Sequence, residues 1–106
     1  MELKDRIIKS RVDGDAQTWL NTKYPLDKRN EVEKLDLSSL DLQEELNLKS
    51  FTNLKSLDCS DNELTDLDLN KCEKLEYFDC LNNQLWSLNV SSNKELQEMH
   101  TNYNEI

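Results

Sequence analysis

The chain of 106 residues holds one glycine, one proline and one histidine. So little glycine and proline argues against a loop-rich or disordered chain. It also leaves no Gly-rich phosphate loop. No apolar run approaches the ~20 residues of a membrane span, and no apolar signal segment follows Met1. The three cysteines are an odd count, and no Cys-x-x-Cys pair gives the close ligand spacing of a zinc site. These absences point to a cytoplasmic or nuclear protein with no metal or other cofactor, or to a secreted parent whose signal has been removed.

What is present is charge. The net charge is −9, and it is unevenly placed. Residues 1–30 carry seven basic and five acidic side chains, whereas residues 31–106 carry six basic and seventeen acidic ones. An acidic surface of that size repels nucleic-acid phosphate and favours a basic protein partner. Apolar content is 36%, below the usual ~45–50%. A compact globule would be marginal on that supply. A solenoid tolerates it, because each coil buries only its inward column against its neighbours.

The sequence repeats every 21 residues. Leu54, Leu57, Cys59, Asn62, Leu64, Leu67 and Leu69 return as Leu75, Phe78, Cys80, Asn83, Leu85, Leu88 and Val90. They return again as Leu96, Met99, Thr101, Asn104 and Ile106. A looser copy lies 22 residues before the first: Val32, Leu35, Leu37, Leu40, Leu42, Leu46 and Leu48. An amphipathic helix bundle fails on period, since Leu54, Leu57 and Cys59 mix steps of three and two where a helical stripe recurs at three and four. Asparagines at fixed phase are also poor helix-interior residues.

The pattern Leu-x-x-Leu-x-Cys-x-x-Asn-x-Leu resembles the leucine-rich repeat, in its short cysteine-containing form known from bacteria and early-diverging fungi. The stretch Trp19-Leu20-Asn21-Thr22-Lys23-Tyr24-Pro25, followed by Lys28-Arg29-Asn30-Glu31-Val32, looks like the lead-in of some such fungal proteins. The resemblance covers residues 31–106. It implies a right-handed α/β-class solenoid with a parallel sheet on its concave side, few or no convex helices, and use in protein binding.

Residues 1–30 do not fit the repeat and are expected to form an N-terminal helical cap on a single domain. Leu3, Ile7 and Ile8 give one apolar helical face. Asp13-Gly14-Asp15 reads as a turn and N-cap, and a second helix is expected from about Ala16 to Tyr24, ended by Pro25. Trp19 and Leu20 should cover Val32, Leu35 and Leu37; a partner-binding helix is the functional alternative. About 3.5 repeats follow, starting at Val32, Leu54, Leu75 and Leu96. Repeat 1 departs from the pattern: Leu40 replaces the asparagine, and the segment from Leu42 to Leu46 holds one extra residue.

Cys59 and Cys80 share the inward column that Thr101 continues, so they read as structural thiols. Cys72 falls at the phase of Phe51 and Asn93, on the return side, and is expected to be the least shielded. Asn62, Asn83 and Asn104 should sit inward at the corner after each strand, meeting backbone groups that would otherwise lack partners.

Strands are expected near residues 34–38, 56–60, 77–81 and 98–102. Two-residue alternation then fixes the outward rows, spaced about 4.8 Å apart. They read Lys34, Asp36, Ser38; Ser56, Asp58, Ser60; Tyr77, Asp79, Leu81; and Glu98, His100, Asn102. Asp36, Asp58 and Asp79 stack in one column that His100 ends. Like charges at that spacing repel, so a basic partner, or solvent with Lys34 and Lys55, must answer them. Carboxylates in one line rarely converge on a metal ion. Tyr77, Leu81, His100 and Tyr103 form an adjoining amphipathic cluster suited to a protein contact. Trp86 is a separate candidate on the return side. Catalysis has little support: His100 has Asp79 one row away to orient it, but the nucleophiles Cys59 and Cys80 point to the opposite side. The reading is a non-catalytic protein-interaction module with an acidic concave face. Its alternative is a truncated or engineered scaffold that self-associates as a homodimer through repeat 4. There Leu96, Met99, Thr101 and Ile106 lie at an edge that no later coil of this sequence covers.

Overall fold

The computed structural model describes residues 15–106. The helix expected around Leu3, Ile7 and Ile8 lies outside the described residues. Helix α1 spans Ala16–Lys23. Asp15 caps it: its side chain accepts a 2.8 Å hydrogen bond from the Thr18 N–H, meeting one donor that the first turn cannot satisfy internally. That bond holds the Asp15 carboxyl below its ordinary range. Pro25 follows the C-cap residue Tyr24, as expected. Ala16, Trp19 and Leu20 lie on one helical face and are buried. Tyr24 bridges the helix to the first coil, with edge contacts to Trp19 at 6.5 Å and to Phe51 at 5.9 Å.

A 3₁₀ helix, Leu26–Glu31, follows α1 and was not foreseen. Its anchor is Arg29, which is buried although charged. The guanidinium donates to the Tyr24 carbonyl and to Asn21 Oδ1, both at 2.9 Å, and lies over the Phe51 ring.

The rest is repetition. Strands β1 (Lys34–Asp36), β3 (Ser56–Asp58), β5 (Tyr77–Asp79) and β6 (Glu98–His100) form one parallel sheet in the order β1-β3-β5-β6. β2 (Gln43–Asn47) and β4 (Glu63–Asp68) pair in a second, two-stranded parallel sheet on the return side. That second sheet was not anticipated. Its register shifts between Glu44 and Glu45, in the segment whose length sets repeat 1 apart. Glu44 takes a φ of 70° there. Between the sheets, Leu35, Leu37, Leu46, Leu48, Phe51, Leu54, Leu57, Leu64, Phe78 and Leu85 form one continuous core.

The strands are shorter than the five residues expected, and the cause is local. After β1, β3 and β5 the next outward N–H leaves the ladder and is taken by an aspartate two residues earlier. Ser38 N–H donates to Asp36 Oδ1, Ser60 N–H to Asp58 Oδ1, and Leu81 N–H to Asp79 Oδ1, at 2.9–3.0 Å. The chain then turns a corner at Ser39, Asp61, Asn82 and Tyr103, each left-handed with φ of 55–61°. For a residue with a Cβ this costs roughly 1–2 kcal/mol.

The asparagine column offsets that cost. Asn62 Oδ1 accepts from the N–H groups of Leu40 and Leu42, and its Nδ2 donates to the carbonyls of Leu37, Cys59 and Ser60. Asn83 and Asn104 repeat the arrangement one and two coils on. Cys59 and Cys80 are fully buried and unbonded to one another.

Cys72 corrects an expectation. It is fully buried, with its thiol against the Leu48 carbonyl at 3.5 Å. Burial pushes its pKa up to about 12, with Asp68 adding to the effect. Its phase partner Phe51 is equally buried, so the return-side column is as much core as the strand column.

Candidate functional site

The outward face of the four-stranded sheet follows from register. Lys34, Ser56, Tyr77 and Glu98 are aligned across neighbouring strands, as are Asp36, Asp58, Asp79 and His100. The aspartate column therefore exists as expected. Its neutralisation differs. Among the described residues the ion-pair contact is His100 with Glu98, so neither Lys34 nor Lys55 screens Asp58 or Asp79 by direct contact. Each carboxylate instead accepts from its own strand end. Asp58 Oδ1 receives the Ser60 N–H at 3.0 Å and the Ser60 hydroxyl at 2.6 Å. Asp36 makes the same two bonds to Ser38. Asp79 has Leu81 N–H on Oδ1 and the Tyr77 hydroxyl 3.4 Å from Oδ2. Donors to an ionised carboxylate stabilise its charge, so the column is compatible with the fold before any partner arrives.

Asp58, Tyr77, Asp79 and His100 are brought together in adjoining rows. The Tyr77 and His100 rings lie 5.9 Å apart, tilted at 56°. Partial burial and the neighbouring charges of Asp79 and Asp58 push the Tyr77 hydroxyl above its ordinary pKa. His100 is not oriented by Asp79 as expected. Its Nε2 contacts Glu98 Oε2 at 2.6 Å, on the same strand. That hydrogen bond raises the His100 pKa, with smaller help from the charges of Glu98 and Asp79 against desolvation. Glu98 was missed as a site residue. The signal was available: residues i and i+2 on one strand share a face.

The remaining candidates are more scattered. Leu81 is half-buried beyond Asp79. Asp36 stands at the far end of the column, in β1. Tyr103 is 76% exposed, but it occupies the left-handed corner rather than a strand row. Of the edge residues, Leu96 and Thr101 are half-buried, while Met99 is 44% and Ile106 64% exposed. Trp86 is 74% exposed on the return side.

An open hollow of about 660 Å³ lies away from this face, between α1, the 3₁₀ helix and β2, lined by Gln17, Asn21, Arg29, Glu45 and Asn47 among others. Its polar groups are already committed. Gln17 holds the Asn47 N–H, and Arg29 holds Asn21 and Tyr24. Among the described residues no group of three or more His, Cys, Asp or Glu side chains is placed to hold a metal ion. No described helix is long and apolar enough to cross a membrane.

No curated protein and no solved structure matches the chain. A family model described as Leucine Rich repeats (2 copies) matches residues 52–98, the stretch that carries β3, β4 and β5. Residues 52–98 thus hold two leucine-rich repeats, and the fold is that of a leucine-rich-repeat solenoid.

Proposed function

We propose that the protein is a non-catalytic interaction module that binds a basic protein partner on the outward face of its four-stranded sheet. Leucine-rich repeats generally serve protein–protein contact, which supports the coarse reading. The observation that carries the finer one is the alignment of Asp36, Asp58 and Asp79 in register, flanked by the Tyr77–His100 ring pair. A lysine or arginine side chain laid across the strands would meet carboxylates from successive coils and an aromatic face beside them. Leu81 and Tyr103 extend the apolar margin of this surface. The N-terminal cap is the segment before residue 31, and within its described part Trp19 and Leu20 are buried in the common core. The 21-residue, cysteine-containing repeat is of the kind found in bacteria and early-diverging fungi. The three buried reduced thiols suit a reducing compartment, and we place the protein in the cytoplasm.

The test is binding of a lysine- and arginine-rich peptide, followed by fluorescence anisotropy at several salt concentrations. The double variant Asp58→Asn/Asp79→Asn keeps the acceptor that caps each strand end and removes the charge. It should bind at least tenfold more weakly, whereas the control Glu73→Gln/Glu105→Gln, with the same net charge, should not. Equal loss in both would reduce the interaction to net charge and remove the site.

A second reading, self-association through β6, is favoured by one observation. Among the described residues β6 is an edge strand beside the exposed Met99 and Ile106, and an exposed edge is a template for another strand.

A further inference from the structure

The chain has a single histidine, and the fold sets it on the acidic face. In register His100 follows Asp58 and Asp79, as Glu98 follows Ser56 and Tyr77. Three neighbours surround the ring. Nε2 lies 2.6 Å from Glu98 Oε2, the ring centroid lies 5.9 Å from that of Tyr77, and Asp79 stands one strand away. The side chain keeps 45% of its surface exposed, so solvent protons and a partner both reach it.

We infer that His100 is a proton-operated switch on this face: charged, it opposes a partner bearing lysine or arginine, and neutral, it admits one. The inference rests on the sheet face being the binding surface, as proposed above. Histidine is the side chain that ordinarily changes charge between about pH 5 and 8. The protonated ring pairs with Glu98 and puts a positive charge at the end of the Asp58–Asp79 row. An incoming cation then meets a like charge beside a carboxylate that is already answered. The neutral ring still donates its Nε2–H to Glu98, but it no longer offsets the charge there. Asp58, Asp79 and Glu98 thus face one opposing charge in the first state and none in the second. A unit charge about 6 Å away in a wet site changes affinity roughly three- to tenfold.

Among the described residues the groups facing the ring are Glu98 on its own strand and Tyr77 and Asp79 on β5. Tyr77 stays neutral, since burial and the charge of Asp79 push its hydroxyl up. The Glu98 hydrogen bond raises the His100 pKa above its ordinary 6.5, which brings the transition toward neutral pH. Affinity for a basic partner is therefore lowest below that raised value and climbs as pH rises through it. By linkage a bound cation lowers the His100 pKa by the same factor by which protonation weakens binding.

The whole chain is titrated with an N-acetylated peptide of lysine, arginine and serine by fluorescence anisotropy, at fixed ionic strength between about pH 5.5 and 8. Wild-type affinity should rise roughly three- to tenfold across that window. His100→Gln and His100→Lys should each give a flat profile, with His100→Lys the weaker binder. NMR titration of the His100 ring in the wild-type chain gives a reading free of substitution. Its pKa should lie above 6.5 in the free chain and fall when the peptide is added to saturation. A wild-type affinity that is flat or falls with pH, an equal rise in His100→Gln, or a ring pKa that the peptide leaves unmoved overturns the switch and leaves sheet-face binding standing. Absence of binding at every pH overturns the sheet-face reading and the switch with it.

Discussion

Replacing Asn62 by alanine tests the inward asparagine column most sharply. In the native fold two backbone N–H groups, those of Leu40 and Leu42, reach Asn62 Oδ1 at 3.1 and 2.9 Å. Three carbonyls, those of Leu37, Cys59 and Ser60, receive its Nδ2 at 2.9–3.1 Å. The side chain is buried, at 7% exposure, so no solvent stands ready to take over. An unpaired buried donor costs about 1–3 kcal/mol. Two orphaned donors, relieved in part by relaxation, give an expected loss of about 3–5 kcal/mol. Asn83 serves one N–H and two carbonyls, so Asn83→Ala should cost about 2–3 kcal/mol on the same scale. Asn104 serves the Leu85 N–H in a half-buried coil that water reaches, and Asn104→Ala should cost only ~1 kcal/mol. Urea unfolding followed by circular dichroism reads all three, with Trp19 fluorescence as an internal probe once Trp86 is replaced by phenylalanine. A domain of this kind has ~5–15 kcal/mol in hand, so Asn62→Ala stays measurable or falls just below the folding threshold. Equal losses at the three positions, or a smaller loss at Asn62 than at Asn104, would refute the claim that these amides answer buried backbone groups.

Other outcomes follow from the same geometry. Cys59, Cys72 and Cys80 should all label with a thiol reagent only at the rate of unfolding, since each is fully buried; fast labelling of Cys72 alone would revive the exposed reading. Burial pushes Cys72 and Cys80 to about 12, and Cys59 well up, from a value of 9.0. The unfolded chain then releases these protons first, so stability should fall as pH rises above about 9; a flat profile between pH 8 and 11 would contradict this. Trp19→Ala should cost about 3–5 kcal/mol. Trp19→Phe should cost clearly less, because Nε1 is buried without a hydrogen-bond partner.

How much of this was legible in advance depends on how strictly each feature repeats. The leucine, cysteine and asparagine columns recur at constant phase, and they yielded the coil count, the sheet register and the rows on its face. The strand ends were misjudged because Asp36, Asp58 and Asp79 were read as surface charges alone. The two-residue spacing to Ser38, Ser60 and Leu81 shows that each also caps its strand. The β2–β4 sheet was missed because Gln43–Asn47 is mostly polar and outward-facing, so its strand geometry comes from pairing with β4 rather than from its own pattern. Cys72 was misjudged because its phase mate Asn93 suggested solvent, yet Asn93 is itself buried and donates to the Leu69 and Cys72 carbonyls. The 3₁₀ helix escaped notice because its anchor is a buried arginine, a residue type seldom found inside.

Chemical-shift mapping of the ¹⁵N-labelled chain with a lysine- and arginine-rich peptide tests the central claim most directly. Perturbations should centre on Ser56, Asp58, Tyr77, Asp79 and His100, which share the outward face of the four-stranded sheet. Glu45, Asp66, Asp68 and Asn89, which line a second acidic hollow on the return side, should stay unmoved. Saturable shifts confined to that hollow or to Trp86, with the sheet face silent, would contradict the account and place the binding surface on the opposite side of the solenoid.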